Sequence, residues 1–276
     1  MIFVYRKWND FCKKLKERSI LSIPAKEVTK DLDSYLVLKH DVETNVKKAL
    51  KMAKIEHKYG HRGSYYVQAY LMNDDGNIEM LKEMQSMGHE ISYHYDVMDS
   101  SKGDIEKAKL EFQKNKKIFE ENGFNLSTVC QHGNPLIERV GYTSNRDFFR
   151  NESVRMLYPD LSDIMVNFKS DRETDYLYYS DAGRKFKLIY DPLFNDVVNS
   201  NDKNIPYNNL VNLGKVIDKE GRYIISTHPH RWCSSAIIYE LKNIVFKIIK
   251  VIARLLYKIP FMKKFMGKYY YLAKKI

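Results

Sequence analysis

Asp41 and Glu43 stand two residues apart, beside His40, where the apolar run Leu36-Val37-Leu38 gives way to charge. In an extended chain residues i and i+2 point the same way, so both carboxylates aim at one spot. Two acids held together repel unless a cation or a shared proton relieves them. Three further segments carry similar side chains: Gly88-His89-Glu90-Ile91-Ser92-Tyr93-His94, Cys130-Gln131-His132-Gly133-Asn134-Pro135 and Ser226-Thr227-His228-Pro229-His230-Arg231-Trp232. Six of the eight histidines (His40, His89, His94, His132, His228 and His230) fall in these four segments. One such histidine alone reads as a structural or surface imidazole. Four strand ends that each carry one read differently in a fold that gathers strand ends at one rim. Carboxylates with imidazoles are the ligand set of a catalytic divalent metal, zinc before others, with one position open for water.

The elements that must position these residues alternate. Phe3 to Arg18 has an apolar side of Trp8, Phe11, Cys12 and Leu15 and predicts an amphipathic helix. Tyr35–Leu38 predicts a buried strand, Thr44–Tyr59 a helix closed by Gly60, and Gly63–Val67 a second strand. Asn77–Met87 reads as a helix, His89–Tyr93 as a third strand, Ile105–Glu121 as a long helix and Leu126–Gln131 as a fourth strand. Between 135 and 205 the pattern is less regular, with strands expected at Met165–Phe168 and Tyr176–Tyr179. Pro206–Asp218 resumes a helix and Tyr223–Thr227 is a strand like the first. Strands alternating with helices over short connectors predict an α/β fold with a parallel sheet and helices outside it.

With 276 residues the chain can build one large α/β domain. Its 13% aromatic content excludes a disordered chain. Cys12, Cys130 and Cys233 are odd in number and far apart, which argues against a disulfide framework or a zinc knuckle and for buried free thiols. The N-terminus turns charged before a signal-peptide core develops, and no run reaches the roughly 18 apolar residues of a membrane span. A reducing, cytoplasmic location is therefore expected. The net charge of +11 is concentrated at one end, because residues 241–276 hold nine Lys, one Arg and no acid. The body is close to neutral, so a nucleic-acid footprint is not expected.

The order of these motifs resembles the polysaccharide deacetylases, the carbohydrate esterase family with the NodB-homology domain. It is most similar to the cytoplasmic branch found with surface-polysaccharide genes. The similarity covers about residues 30–235 and is strongest at Gly88-His89-Glu90-Ile91-Ser92-Tyr93-His94, which resembles the family's Gly-His-Glu-Ile-Gly-Asn-His. The resemblance implies a distorted (β/α) barrel of about seven parallel strands over 31–235, after an N-terminal helix and lead-in at 1–30. It implies Asp41 as general base, Glu43 and His94 as metal ligands and His228 as general acid. Tyr179-Ser180-Asp181-Ala182-Gly183-Arg184 also resembles a segment of that branch, and Asp181 and Arg184 are placed with the substrate.

The chain departs from the family in three places. The family's second metal histidine falls four residues after the first, where this chain has Met98; Glu43 replaces an Asp; and Gln131-His132-Gly133-Asn134-Pro135 stands where the family has Arg-Pro-Pro-Tyr. A catalytic zinc usually has three protein ligands, and His132, at the end of the adjoining strand, is our candidate for the third, with Asp96 behind it. Tyr93 and Trp232 are candidates to stack on a sugar ring, although core packing is the commoner fate of such side chains. The activity implied is removal of an acyl group from an N-acetylated sugar in a glycan precursor.

From residue 236 the chain reads as a basic amphipathic tail. Asn243, Lys247, Lys250, Arg254 and Lys258 occupy an arc of about 80° of a helix and leave the rest to Ile, Val, Phe and Leu. Beyond Pro260 bases and aromatics continue to mix. Such a helix suits an anionic membrane surface, which is the partner expected for 241–276; alternatively its apolar side packs on the barrel. Three classes of function follow: a hydrolase, a carbohydrate-binding barrel that has lost its metal, and a membrane-surface scaffold in which the tail is the working part.

Overall fold

The computed structural model describes residues 3–134, 137–168, 176–181, 187–189 and 210–256. In chain order these comprise α1 (Tyr5–Glu17), β1 (Tyr35–Val42), α2 (Val46–Lys58), β2 (Ser64–Val67), α3 (Asp75–Ser86), β3 (Glu90–Tyr95), α4 (Val97–Ser100) and α5 (Ile105–Glu121). There follow β4 (Thr128–Gln131), α6 (Asp147–Arg150), α7 (Glu152–Leu157), β5 (Ser162–Asp163), β6 (Leu177–Ser180), β7 (Lys187–Ile189), α8 (Leu210–Val216), β8 (Arg222–Thr227) and α9 (Ala236–Leu256). The strands form one sheet in the order β5-β4-β3-β2-β1-β8-β6-β7. All pairings are parallel except that of β6 with β7.

Seven parallel strands therefore curl into a half-barrel with helices outside. No pairing joins β5 to β7 among the described residues. The short connectors fit this architecture. Asn45 caps α2 by accepting from the Lys48 N–H at 3.1 Å, and Gly60, at φ +80°, takes the left-handed turn that ends it.

Strand alternation divides the buried side chains between two faces. From β1, Leu36 and Leu38 join Trp8, Phe11 and Leu15 of α1 on the outer face. Farther along that face, Tyr65, Ile91, Tyr93 and Tyr95 pack under α2, α3 and α5. On the inner face Tyr35 and Val37 meet Tyr66, Cys130, Tyr178 and Ile224, closing the N-terminal end of the half-barrel with an apolar plug. Beyond that plug the inward positions turn polar: Lys39 and Asp41 on β1, His94 on β3 and Ser226 on β8 are all nearly inaccessible.

One strand expected from the sequence is not formed. Met165–Phe168 is a turn, because Met165 N–H donates to Asp163 Oδ1 at 2.6 Å and Val166 and Asn167 fold back onto the Asp163 carbonyl. Met165 and Phe168 belong to the inner plug, and Val166 packs against the outer core. The irregular middle contains α6 and α7, whose Phe148, Phe149 and Val154 complete the outer core. Residues 206–209 of the expected Pro206–Asp218 helix, and the tail beyond 256, lie outside the described residues. The three cysteines are buried and free.

Candidate metal centre

Because β1, β3, β4, β6 and β8 are parallel and adjacent, their C-terminal ends share one rim. Lys39, Asp41 and Glu43 arrive there from β1, His94 from β3, His132 from the residue after β4, Asp181 from the residue after β6 and His228 from the residue after β8. Glu43, His94 and His132 come together: His132 Nδ1 lies 3.1 Å from His94 Nε2 and 3.1 Å from Glu43 Oε1. Their ligand atoms can share one ion.

The proton positions show why a cation fits. His94 Nδ1 lies 3.1 Å from the Cys130 carbonyl, which can only accept, so Nδ1 carries the hydrogen and Nε2 presents a lone pair. Burial pushes the His94 imidazole down to about 3, which keeps it neutral. His132 Nδ1 thus faces two acceptors, the His94 lone pair and the Glu43 carboxylate, and one proton cannot serve both. A divalent ion satisfies all three. Ligands bound at about 2.1 Å in tetrahedral array stand about 3.4 Å apart, close to the spacing found here.

A second group, Asp41, His94 and Cys130, is also close enough to share an ion. Lys39 argues against it. Its ammonium lies 2.5 and 2.6 Å from the two oxygens of Asp41 and 3.3 Å from Ser226 Oγ, occupying the side a metal would need. Burial favours a protonated Asp41, but the charge around it, Lys39 foremost, outweighs burial and holds the carboxyl below its usual value. Burial also pushes the Cys130 thiol up, so it is a poor thiolate donor.

Around the trio, His228 Nε2 lies 3.8 Å from Asp41 Oδ2 and 3.9 Å from Glu43 Oε1. Its other nitrogen meets Asp181 Oδ1 at 2.6 Å, and its backbone N–H donates to Asp181 Oδ2 at 3.0 Å. Arg231 donates to the same carboxylate at 2.8 Å. Although burial raises the Asp181 pKa, Arg231 and His228 pull it far below the usual range, so the carboxylate is charged. It accepts from Nδ1–H of His228 and turns Nε2 toward the site. His230 Nδ1 lies 3.9 Å from Glu43 Oε2 and has no hydrogen-bond partner among the described residues. The loop that carries His132 is held from behind. Asn145 donates to the His132 carbonyl at 2.7 Å and to Asp99 at 2.8 Å, and Asp99 also receives a two-pronged pair from Arg139.

Several residues expected at the substrate lie elsewhere. Tyr93 neighbours the inward His94 on a strand and so must face outward; it packs on Phe112 and Phe119 with ring centroids 5.4 and 5.5 Å away. Trp232 follows the turn at 229–231 back to the outer core, 5.3 Å from both Phe3 and Trp8. Asp181 is fully buried and supports His228 rather than reaching solvent. Arg184 lies outside the described residues. Met98 is in the outer core, and Asp96 is in neither group of described side chains close enough to share an ion.

Two of the six strand-end histidines also belong to the outer face. His40 Nε2 lies 2.9 Å from Glu56 and its Nδ1 lies 2.6 Å from Thr227 Oγ1. His89 accepts from the Gly63 N–H at 2.9 Å and donates to the Ala53 carbonyl at 3.1 Å. Sequence reasoning missed Lys39, Arg231 and the role of Asp181. Only Lys39 carried a signal, a base at position i−2 from Asp41 in an otherwise apolar strand.

No protein-family model matches the chain, and neither does any curated protein or any solved structure.

Proposed function

We propose that the chain is a metal-dependent hydrolase that removes an acetyl or other acyl group from an N-acetylated sugar in cell-surface polysaccharide biosynthesis. The observation that supports this most is the convergence of Glu43, His94 and His132 beside two charged or basic groups that are not ligands, Asp41 and His228. Three ligands plus an adjacent acid and imidazole are the components of metal-assisted hydrolysis. The sugar substrate rests on the resemblance of Gly88–His94 to the polysaccharide deacetylases.

A divalent ion held by Glu43, His94 and His132 would polarise the acyl carbonyl and make a bound water more acidic. Asp41, ionised beside Lys39, takes a proton from the attacking water. The dyad of Asp181 and His228 works on the opposite partner. Asp181 secures Nδ1–H of His228 and stabilises its protonated ring, whose Nε2–H is delivered to the departing amine. His228 and Asp41 keep 14% and 9% of their side chains accessible, so a substrate amide and a water can reach them.

The test is acetate release from N-acetylated sugars with Zn²⁺ or Co²⁺, together with the metal content of the purified chain. Wild type is expected to hold one ion and turn over, Asp41→Asn to keep the ion with little activity, and His94→Ala to lose both. Equal rates in all three proteins, with no stoichiometric metal, would leave a carbohydrate-binding barrel instead.

A further inference from the structure

Among the described residues, α9 turns its apolar side away from the protein. Tyr239 is 3% exposed and packs on Phe3 at 5.8 Å, which marks the side of the helix that meets the body. Ile237, Leu241, Ile244, Ile248, Val251 and Ile252 are between 50% and 74% exposed. At 100° per residue these six fall within an arc of about 100°, centred about 170° from Tyr239. The alternative in which this face packs on the barrel is thereby overturned for these residues.

A contiguous exposed apolar stripe of this length marks an interaction surface. Its charge surroundings indicate the partner. Lys242 and Lys247 flank the stripe on either side, Glu240 beside Lys247 is the one acid of α9, and residues 241–276 carry nine Lys, one Arg and no acid. α9 itself carries four bases, Lys242, Lys247, Lys250 and Arg254, against one acid, Glu240, so pairing two copies along it would bring like charge together, which disfavours a dimer. Long basic side chains beside an apolar stripe can bury their stems while their charges reach anionic headgroups. No helix among the described residues is long and apolar enough to cross a membrane. We propose that α9 lies in the plane of an anionic phospholipid surface, with Leu241 and Ile248 near the centre of the embedded stripe. This docking is independent of the reaction proposed above.

The experiment is co-sedimentation of the full chain with vesicles of phosphatidylcholine alone or mixed with phosphatidylglycerol, at low and high salt. A Leu241→Glu/Ile248→Glu double variant changes only exposed positions, and circular dichroism checks that it folds. Wild type should pellet with the mixed vesicles and partition roughly tenfold less with phosphatidylcholine alone or at high salt, because basic residues supply the attraction. The double variant should remain in the supernatant. Three results would overturn the assignment: wild type failing to pellet with mixed vesicles, the double variant pelleting as wild type does, or light scattering showing a dimer that the double variant dissolves.

Discussion

The ammonium of Lys39 grips both carboxylate oxygens of Asp41 inside the half-barrel, with only 1% of the Lys39 side chain and 9% of the Asp41 side chain accessible. The pair decides what Asp41 can be: an ionised acid held back from the ion that Glu43, His94 and His132 could bind. Lys39→Met leaves that acid buried without its cation and should cost about 3 kcal/mol in chemical denaturation. It also removes the main charge that lowers the Asp41 pKa. A base works when deprotonated, so the acidic limb of the kcat/KM profile should move to higher pH. A Lys39→Met/Asp41→Asn double variant should regain part of the lost stability while staying inactive.

The choice between the two possible ion sites can be read from cobalt spectra. With Glu43, His94 and His132 as ligands, the Co²⁺ protein should lack a thiolate charge-transfer band, and Cys130→Ser should leave affinity and spectrum unchanged. Glu43→Gln and His132→Ala should each weaken binding by at least about 100-fold, measured by competition with a chelating dye. Asn145→Ala loosens the backbone behind His132 and should weaken it by roughly tenfold.

Glu56 should matter for folding and not for chemistry. This fully buried carboxylate accepts from Trp8 Nε1 at 3.0 Å and from the Tyr65 hydroxyl at 2.9 Å, and it faces His40. Glu56→Leu strands these donors and should cost about 4 kcal/mol, lowering Tm by roughly 10 °C. Metal content per folded chain should be unchanged. A large loss of bound metal at full stability would show that the outer cluster reaches the site.

Asp181 gives a prediction with a definite pH sense. Burial raises its pKa, but Arg231 and His228 lower it more, so the folded chain binds this proton less readily than the unfolded chain. The stabilisation is therefore fully present above about pH 4 and is lost as pH falls below that. Asp181→Asn should flatten this acid loss in denaturation series run from pH 5 downward. It should also reduce kcat by roughly 100-fold, because His228 loses the partner that sets its proton.

What the sequence disclosed depended on range. Asp41 lies on β1 and Glu43 is the residue after it, and the two residues' spacing alone suggested the common neighbour they have in His228, 3.8 and 3.9 Å away. Strand alternation, applied to Tyr93 beside His94, would have sent the tyrosine outward. The Asp181–His228 pair joins residues 47 positions apart, and it exists because β6 lies next to β8 in a sheet whose order departs from chain order. The turn at Met165–Phe168 imitates a strand because Met165 and Phe168 fill the plug, a role that composition does not distinguish from pairing. In the tail, periodicity identified an apolar stripe, but only the anchor at Tyr239 shows which way it faces.

The pleat of β1 ties function to correct assembly. Slipping this central strand by one position against β2 and β8 would send Lys39 and Asp41 into the aromatic layer beneath α1 and α2. It would also line the inner face with Leu38, His40 and Val42. Such a misthreaded chain would have to strip water from two charges and take His40 away from the Glu56 carboxylate at once. The groups available for chemistry thus also proofread the register, and a molecule that has closed its sheet has already aligned its reactive edge.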